Sequence, residues 1–329
     1  RALREPTTIE GTVVEVGGSV GVALAPEHGT DPSDLLRAAD AAMYVAKKAS
    51  RGVQVYEPGL EVGDGDPTAL TLVAELRSAL ETDDQIVVEF QPQADLRTGA
   101  VRSVEALVRW NHPARGRVAP DAFLPVAERS GLMRPLTARV LDLSVAACVA
   151  WRRQGLEAGV AVNLSARGLA DLALDEHVAD LLARHALPAH LLTLELTETM
   201  IMTEPVKVQA MLRRLHGMGV RLSVDDFGTG YSSLAYLSRL PVCELKIDKS
   251  FVREMGSSVE DAAIVRTVID LAANLRLDVV AEGVEDSAAQ DDLLALGCDL
   301  AQGYHIARPM PAVDLVTWER ARRALPLAA

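Results

Sequence analysis

From about residue 86 onward, short apolar runs alternate with longer segments of helical periodicity. The runs read as strands at Ile86–Phe90, Val101–Val108, Val160–Asn163, Leu191–Glu195, Val220–Val224, Glu244–Ile247, Val279–Ala281 and Leu300–Gln302. Between most of them lie helices. Leu132–Trp151 is long and rich in Ala and Leu. Pro205–Met218 opens with proline in a first turn, and the helix to Leu275 opens on Ser258-x-x-Asp261, a capping-box-like start. Eight strands separated mostly by helices predict a (β/α)8 barrel in the α/β class. The first two strands are joined only by residues 94–100, too short for a helical crossover. The first strand is therefore expected to pair antiparallel to the second. A doubly wound open sheet is the alternative, but it would want a Gly-rich phosphate loop after an early strand, and none is present.

Upstream the pattern is different. Residues 12–23 read as one strand kinked at Gly17-Gly18, or as two. A helix follows from Asp31-Pro32-Ser33, with Ser33 as a candidate cap and Leu35, Leu36, Ala39, Met43 and Ala46 on roughly one face. A strand at Val53–Tyr56 closes this segment, which has too little chain to build a core alone. Residues 58–68, rich in Gly, Pro and acid, read as a linker. A helix from about Ala69 to Leu80 comes next. The expected organisation is a small α+β fragment over 1–57, the linker, and the barrel over 69–329.

Composition narrows the function. The 329 residues carry a formal net charge of −13 with no basic stripe, so duplex nucleic acid is not an expected partner. Cys148, Cys243 and Cys298 are far apart and lack metal-ligand spacing, which fits small buried residues in a reducing cytoplasm. The first residues lack both a starting Met and a signal-peptide core, so the chain reads as part of a longer protein. It is expected in the cytoplasm, free or as the cytoplasmic part of a membrane-anchored protein.

The chemistry centres on Ser223-Val224-Asp225-Asp226-Phe227-Gly228-Thr229-Gly230-Tyr231-Ser232-Ser233. Here an apolar run stops at two adjacent carboxylates, and glycines then allow a sharp loop. Two like charges side by side are costly unless a cation lies between them. Adjacent strand residues point to opposite faces, so both can serve one site only where the strand is ending. Other polar residues recur near strand ends: Glu105, Asn163, Glu195, Lys246, Glu282 and Gln302. Singly each has an ordinary reading, Asn163 as a helix cap for instance. Together they would meet at the mouth of a closed barrel. Oxygen donors without Cys or clustered His point to Mg2+ or Mn2+, two ions per site, suited to in-line phosphoryl displacement. Ca2+ is expected to inhibit, as a looser activator of water. Lys246 can orient the attacking water, and Arg109 is placed to hold a substrate phosphate through paired donors.

Two family resemblances rest on quoted strings. Ser19-Val20-Gly21-Val22-Ala23 and Leu35-Leu36-Arg37-Ala38-Ala39-Asp40-Ala41-Ala42-Met43-Tyr44-Val45-Ala46-Lys47 resemble the C-terminal third of a GGDEF (diguanylate cyclase-like) domain. That family's catalytic turn would lie upstream, so this piece is not expected to make cyclic di-GMP. Residues 71–329 resemble an EAL domain, the cyclic di-GMP-specific phosphodiesterase. The matching strings are Phe90-Gln91-Pro92, Glu105-Ala106-Leu107-Val108-Arg109-Trp110, Val162-Asn163-Leu164-Ser165, Glu195-Leu196-Thr197-Glu198, the Asp225-Asp226 stretch, Leu245-Lys246-Ile247-Asp248-Lys249-Ser250-Phe251, Ala281-Glu282-Gly283-Val284-Glu285 and Gln302-Gly303-Tyr304.

The EAL resemblance implies metal ligands at Glu105, Asn163, Glu195 and Asp225, with Asp225 bridging to a second ion also held by Asp226. Glu282 is either a ligand or the general base, and Lys246 contacts the nucleophilic water. Gln91, Leu107, Arg109, Asp248 and Gln302 are assigned to the substrate side. Glu198 would anchor the loop of Phe227, Gly228, Thr229, Gly230, Tyr231, Ser232 and Ser233, which in the family couples the metal site to a homodimer interface. The implied product is linear 5′-pGpG. A cyclic di-GMP receptor that binds without cleaving is the alternative. His305, near the mouth, reads as a packed histidine.

Overall fold

The computed structural model describes residues 7–9, 12–14, 20–48, 53–57, 67–165, 173–203, 205–229 and 234–324. The chain divides into two compact units, residues 1–76 and 77–329. The division falls inside the helix Pro67–Leu80, and residues 58–66 of the expected linker lie outside the described set.

In the first unit, β1 (Thr7–Ile9) and β2 (Thr12–Val14) form an antiparallel pair. Strands β3 (Val20–Val22) and β4 (Val53–Val55) pair in parallel, with the helix Pro32–Lys48 between them in sequence. Residues 12–23 therefore hold two strands, and Gly17-Gly18 lie outside the described residues. The helix begins at Pro32, with Leu35 N–H donating to the Asp31 carbonyl, so Ser33 lies within it and not at its cap. Among the described side chains its buried positions are Ala38, Ala42 and Ala46; of the expected face Ala46 is buried, whereas Leu36 is 73% exposed and Met43 is exposed. Close packing explains this. Gly21 of β3 lies so near the helix that a Cβ there would sit 1.8 Å from the Ala39 carbonyl oxygen, so only small side chains fit at the contact.

The second unit is a closed barrel. Its strands are β5 (Ile86–Asp95), β6 (Val101–His112), β8 (Gly159–Asn163), β9 (Leu192–Thr197), β10 (Arg221–Phe227), β11 (Glu244–Ile247), β12 (Asp278–Ala281) and β13 (Leu300–Ala301). They run in the order β5-β13-β12-β11-β10-β9-β8-β6, and β6 pairs back with β5; β7 (Gly116–Val118) adds a flap to β6. β5 is antiparallel to both its neighbours, and the pairs from β6 through β8 to β13 are parallel. The reversed first strand follows from the short hairpin, as the spacing requires. Helices cover the outside. Leu194, Leu196, Leu222, Val224, Leu245 and Ile247 are buried, and in Met133–Arg153 the buried positions include Val140, Leu141, Val145, Cys148 and Trp151. Trp151 meets Phe90 of β5 edge to face at 5.2 Å. Ser258 caps Val259–Leu275, its side chain accepting from Asp261 N–H at 3.1 Å. Burial pushes the Cys148 and Cys298 thiols up to about 12, which leaves them unreactive packing residues. Among the described residues no helix is long and apolar enough to cross a membrane.

Candidate active site

A strand's alternation sends every second side chain into the barrel. Register carries the consequence around the sheet: Glu105 lies opposite Gln91, Asn163 opposite Glu195, Glu195 opposite Ser223, and Ser223 opposite Glu244. The inward positions near the C-terminal ends of the parallel strands are thus Glu105, Asn163, Glu195, Asp225 and Lys246. Glu282 and Gln302 follow directly where β12 and β13 end.

Lys246 is the centre of this cluster and is 0% exposed. Its Nζ lies 2.6 Å from Glu282 Oε1, 3.1 Å from Glu195 Oε2, 3.2 Å from Asp225 Oδ1 and 3.7 Å from Glu105 Oε2. Burial by itself would push the ammonium down. The carboxylates of Asp225, Glu105, Glu195 and Glu282 outweigh that and hold Lys246 well above the usual lysine range. One cation does not satisfy all of these acids. Burial, with Glu105 and Asp225 close by, holds Glu195 well above the usual carboxylate range, and burial pushes Glu282 up to about 8. Glu105 is held below its usual value despite burial, because Lys246, Gln302 and Asn163 all favour its anion. Asn163 Nδ2 donates to Glu105 Oε1 at 2.6 Å, and Gln302 Nε2 donates to Glu105 Oε2.

The paired aspartates share one site through a backbone device. The strand does not stop at Asp225; it runs on to Phe227, with its register against β11 broken between Val224 and Phe227. Asp226 sits at φ +54°, and its N–H donates to Asp225 Oδ1 at 2.9 Å. A bulge of this kind turns a side chain that would face outward back to the mouth. Burial, Asp225 and Asp248 together hold Asp226 above its usual value. Two carboxylate groups of three result, Glu105–Glu195–Asp225 and Asp225–Asp226–Glu282, each with ligand atoms within 4.8 Å of one another. Asp225 belongs to both. Glu195 Oε1 is buried without a hydrogen-bond partner. An orphaned carboxylate oxygen among oxygen donors fits a hard divalent cation. The cluster is one that could bind metal.

Other expected site residues are placed as follows. Leu107 and Arg109 line a cavity of about 380 Å3 with Pro120, Leu124, Met133 and Leu136. Leu107 also borders a second cavity of about 270 Å3 that holds Gln91, Glu105, Asp225, Glu282 and Gln302. Arg109 Nε donates to Glu89 Oε2 at 2.9 Å, and one terminal nitrogen donates to its own Val108 carbonyl. Glu89 and the Val108 carbonyl thus fix the guanidinium through Nε and one terminal nitrogen. Asp248 caps the helix Lys249–Glu254 through Ser250 N–H at 3.0 Å and faces Asp226. It stands beside the acidic cluster. Glu198 is buried, and its Oε2 accepts from Gly228 N–H at 3.2 Å. Gly228 is at φ +101°, and a Cβ there would meet the Phe251 ring at 3.1 Å. Phe227, Gly228 and Thr229 are described; Gly230, Tyr231, Ser232 and Ser233 lie outside the described residues. His305 is exposed, not packed, although its N–H donates to the Val284 carbonyl.

Sequence reasoning passed over Gln93, Glu89 and the outer wall of the smaller cavity, formed by Lys249, Arg253, Glu285 and Tyr304. Gln93 had a legible signal: it stands two residues after Gln91 on β5, on the same inward face. Arg253 pairs with Glu285, and Arg308 stacks over Tyr304 at 4.3 Å.

The fold and mouth define a class: a closed β/α barrel with an oxygen-donor site able to take divalent metal. The chain belongs to the EAL domain family, which matches residues 73–309. A second family, "Diguanylate cyclase, GGDEF domain", matches residues 1–52. The bifunctional diguanylate cyclase/cyclic di-GMP phosphodiesterase MucR of Pseudomonas aeruginosa is 41% identical over 319 residues, covering 96% of this chain and 46% of MucR. The cyclic di-GMP phosphodiesterase PdeR of Escherichia coli is 39% identical over 317 residues, covering 96% of this chain and 47% of PdeR. The chain thus spans about half the length of these curated relatives. Among solved structures, a PaMucR phosphodiesterase in complex with c-di-GMP superposes with a TM-score of 0.72 at 44% identity, covering 74% of this chain and 99% of that one. The FimX EAL domain from P. aeruginosa bound to c-di-GMP gives 0.68 at 25% identity, covering 73% and 96%.

The raised Glu282 value sets a pH dependence for the metal-free protein. A carboxyl lifted from its ordinary 4.5 to about 8 on folding is held more tightly as the acid in the folded state. Its contribution to stability is full below pH 4.5 and is lost as pH rises to about 8. The melting temperature in chelator should fall across that window. Saturating Mn2+ should raise it most at the alkaline end, where protons no longer compete for the acids. Thermal melts across pH with and without Mn2+ check this; a Mn2+ shift that grows toward acid contradicts it.

Proposed function

We propose that this chain hydrolyses cyclic di-GMP to linear 5′-pGpG with two Mg2+ or Mn2+ ions. The supporting observation is the pair of carboxylate groups that share Asp225 around a buried lysine, with Glu105, Asp225 and Glu282 open to the smaller cavity and Leu107 bordering both cavities. Glu105, Asn163, Glu195 and Asp225 would hold one ion, and Asp225 and Asp226, with Asp248 beside them, the other. Bound ions would lower the pKa of water and neutralise the scissile phosphate. Glu282, with its raised proton affinity and its Oε1 on Lys246, is suited to accept the proton of the attacking water. Lys246 donates hydrogen bonds that fix the acids and the water between them. Arg109, braced by Glu89, presents its remaining donors to the larger cavity, whose apolar wall of Leu124, Met133 and Leu136 suits a guanine face.

Incubation with cyclic di-GMP and Mg2+ or Mn2+, with products resolved by chromatography, tests this. Linear pGpG is the expected product. Tight binding without cleavage would instead make the barrel a receptor. We also place the loop beginning at Phe227, anchored on Glu198, at a two-fold contact between copies of the chain. Light scattering should show a dimer, and specific activity should fall on dilution. A monomer with undiminished activity at every concentration removes the assembly claim and leaves the chemistry standing.

A further inference from the structure

Gln93 is 0% exposed and does not itself line the metal-side cavity. It is nevertheless joined to Glu105 by a chain of amides. Gln93 Nε2 donates to Gln302 Oε1 at 2.9 Å; Gln302 Nε2 donates to Glu105 Oε2 and to Gln91 Oε1 at 3.2 Å; Gln91 Nε2 donates to the Ala307 carbonyl at 3.0 Å. Both ends of this chain are fixed by groups that can only accept. At one end a backbone carbonyl demands the amino group of Gln91, which turns the Gln91 oxygen toward Gln302. At the other a carboxylate demands the amino group of Gln302. The Gln302 carbonyl is left facing Gln93, and only a donor there is compatible with it.

We infer that Gln93 is a positioning residue: its amide N–H sets the orientation of Gln302, and through it holds Glu105 aimed at the metal site. This rests on the metal reading above. The backbone around Gln302 is already rigid, so the side-chain amide is the remaining freedom. Gln302 N–H donates to Ala281, its carbonyl accepts from Val284 N–H, and the next residue, Gly303, is packed so closely that a Cβ would lie 2.0 Å from the Val284 oxygen. An amide can turn over within such a cage without moving the chain. Gln93 opposes it together with Glu105 and Gln91: a reversed Gln302 would turn its amino group onto the Gln93 donor and put its carbonyl against Glu105 and the Gln91 oxygen. The Gln93 oxygen has no partner of its own, and neither does the hydroxyl of Ser103, its register neighbour on β6. The donated bond to Gln302 is thus the polar contact that orients Gln93.

Two variants of the whole chain separate positioning from mere packing. Gln93→Met keeps the volume and removes the donor. Gln93→Glu keeps the shape and replaces the donor by an acceptor, which recruits the Gln302 amino group and turns its carbonyl onto Glu105. Mn2+ affinity, titrated without substrate, should weaken by about 10-fold in Gln93→Met and further in Gln93→Glu, the range expected for partners of a metal ligand. In a Gln302→Leu background the same two changes should add little, since the intermediary is gone. Equal wild-type Mn2+ affinity in both variants, or full additivity with Gln302→Leu, overturns the inference, and so does a Gln93→Glu no weaker than Gln93→Met. If Gln93→Glu does not fold, Gln93→Met and its cycle with Gln302→Leu decide alone. A wild-type chain that takes up no Mn2+ fails the metal reading itself and with it this inference. A wild-type chain that binds Mn2+ without cleaving cyclic di-GMP fails the proposed reaction and leaves the relay testable.

Discussion

Lys246→Arg is expected to lower kcat by about 10²-fold or more, with much less change in substrate affinity. The lysine is wholly enclosed, and its Nζ stands within 3.2 Å of Glu282, Glu195 and Asp225 at once. A compact ammonium can donate in three directions from one point. A guanidinium carries the same charge on a wider plane and cannot place its donors at that point without displacing an acid. If Lys246 only balanced charge, arginine would be nearly silent. Lys246→Ala should show the kinetic loss and a second effect: it leaves buried acids facing one another, and breaking such a cluster costs about 3–5 kcal/mol. Its melting temperature should therefore drop in chelator and recover in part with Mn2+. Steady-state kinetics on both variants and melts of the alanine variant check the pair. A near-normal kcat for the arginine variant would reduce Lys246 to charge balance.

Which parts of this site were readable in advance follows from what local sequence encodes. The barrel was legible because apolar runs mark strands, and the hairpin of residues 94–100 was too short for anything but an antiparallel first pair. The acids were legible because each stands at or near the C-terminal end of its strand's parallel pairing, Glu105 next to the last β6–β8 pair although β6 itself runs on to His112. The bend at Asp226 was not. The run of strand residues suggested an ending, whereas the chain keeps its pairing and uses a left-handed φ of +54° to bring Asp226 round. Side-chain partners were hidden for a different reason. The Gln93–Gln302 bond spans 209 positions and Arg109–Glu89 crosses a hairpin, and neither leaves a trace in the spacing of one strand. Asp248 also caps the helix that follows it, as a carboxylate just before a helix commonly does, and the string alone did not show this. In the small unit, hydrophobicity singled out Leu36 while packing chose the alanines, because Gly21 brings strand and helix too close for anything larger.

Glu105→Ala should abolish turnover, a loss of about 10³-fold or more, while cyclic di-GMP still binds. The side chain does three things at once. It supplies one acid of the Glu105–Glu195–Asp225 group, it lies 3.7 Å from Lys246 Nζ, and it receives the amides of Asn163 and Gln302. Alanine leaves two carboxylates where three converged, and it frees Gln302 to turn. Glu105 is also held as its anion despite burial, by Lys246, Gln302 and Asn163. The larger cavity, with Arg109 braced by Glu89, is untouched by the change. Binding measured in Ca2+, an ion that accepts the same oxygens in a looser shell, should therefore stay within several-fold of wild type. Ca2+ should itself suppress turnover of the wild-type chain. Raising Mn2+ should not rescue the variant, since the missing donor cannot be restored by mass action alone. Full activity of wild type in chelator or in excess Ca2+, or of Glu105→Ala at any Mn2+ concentration, would overturn the two-ion reading of this mouth.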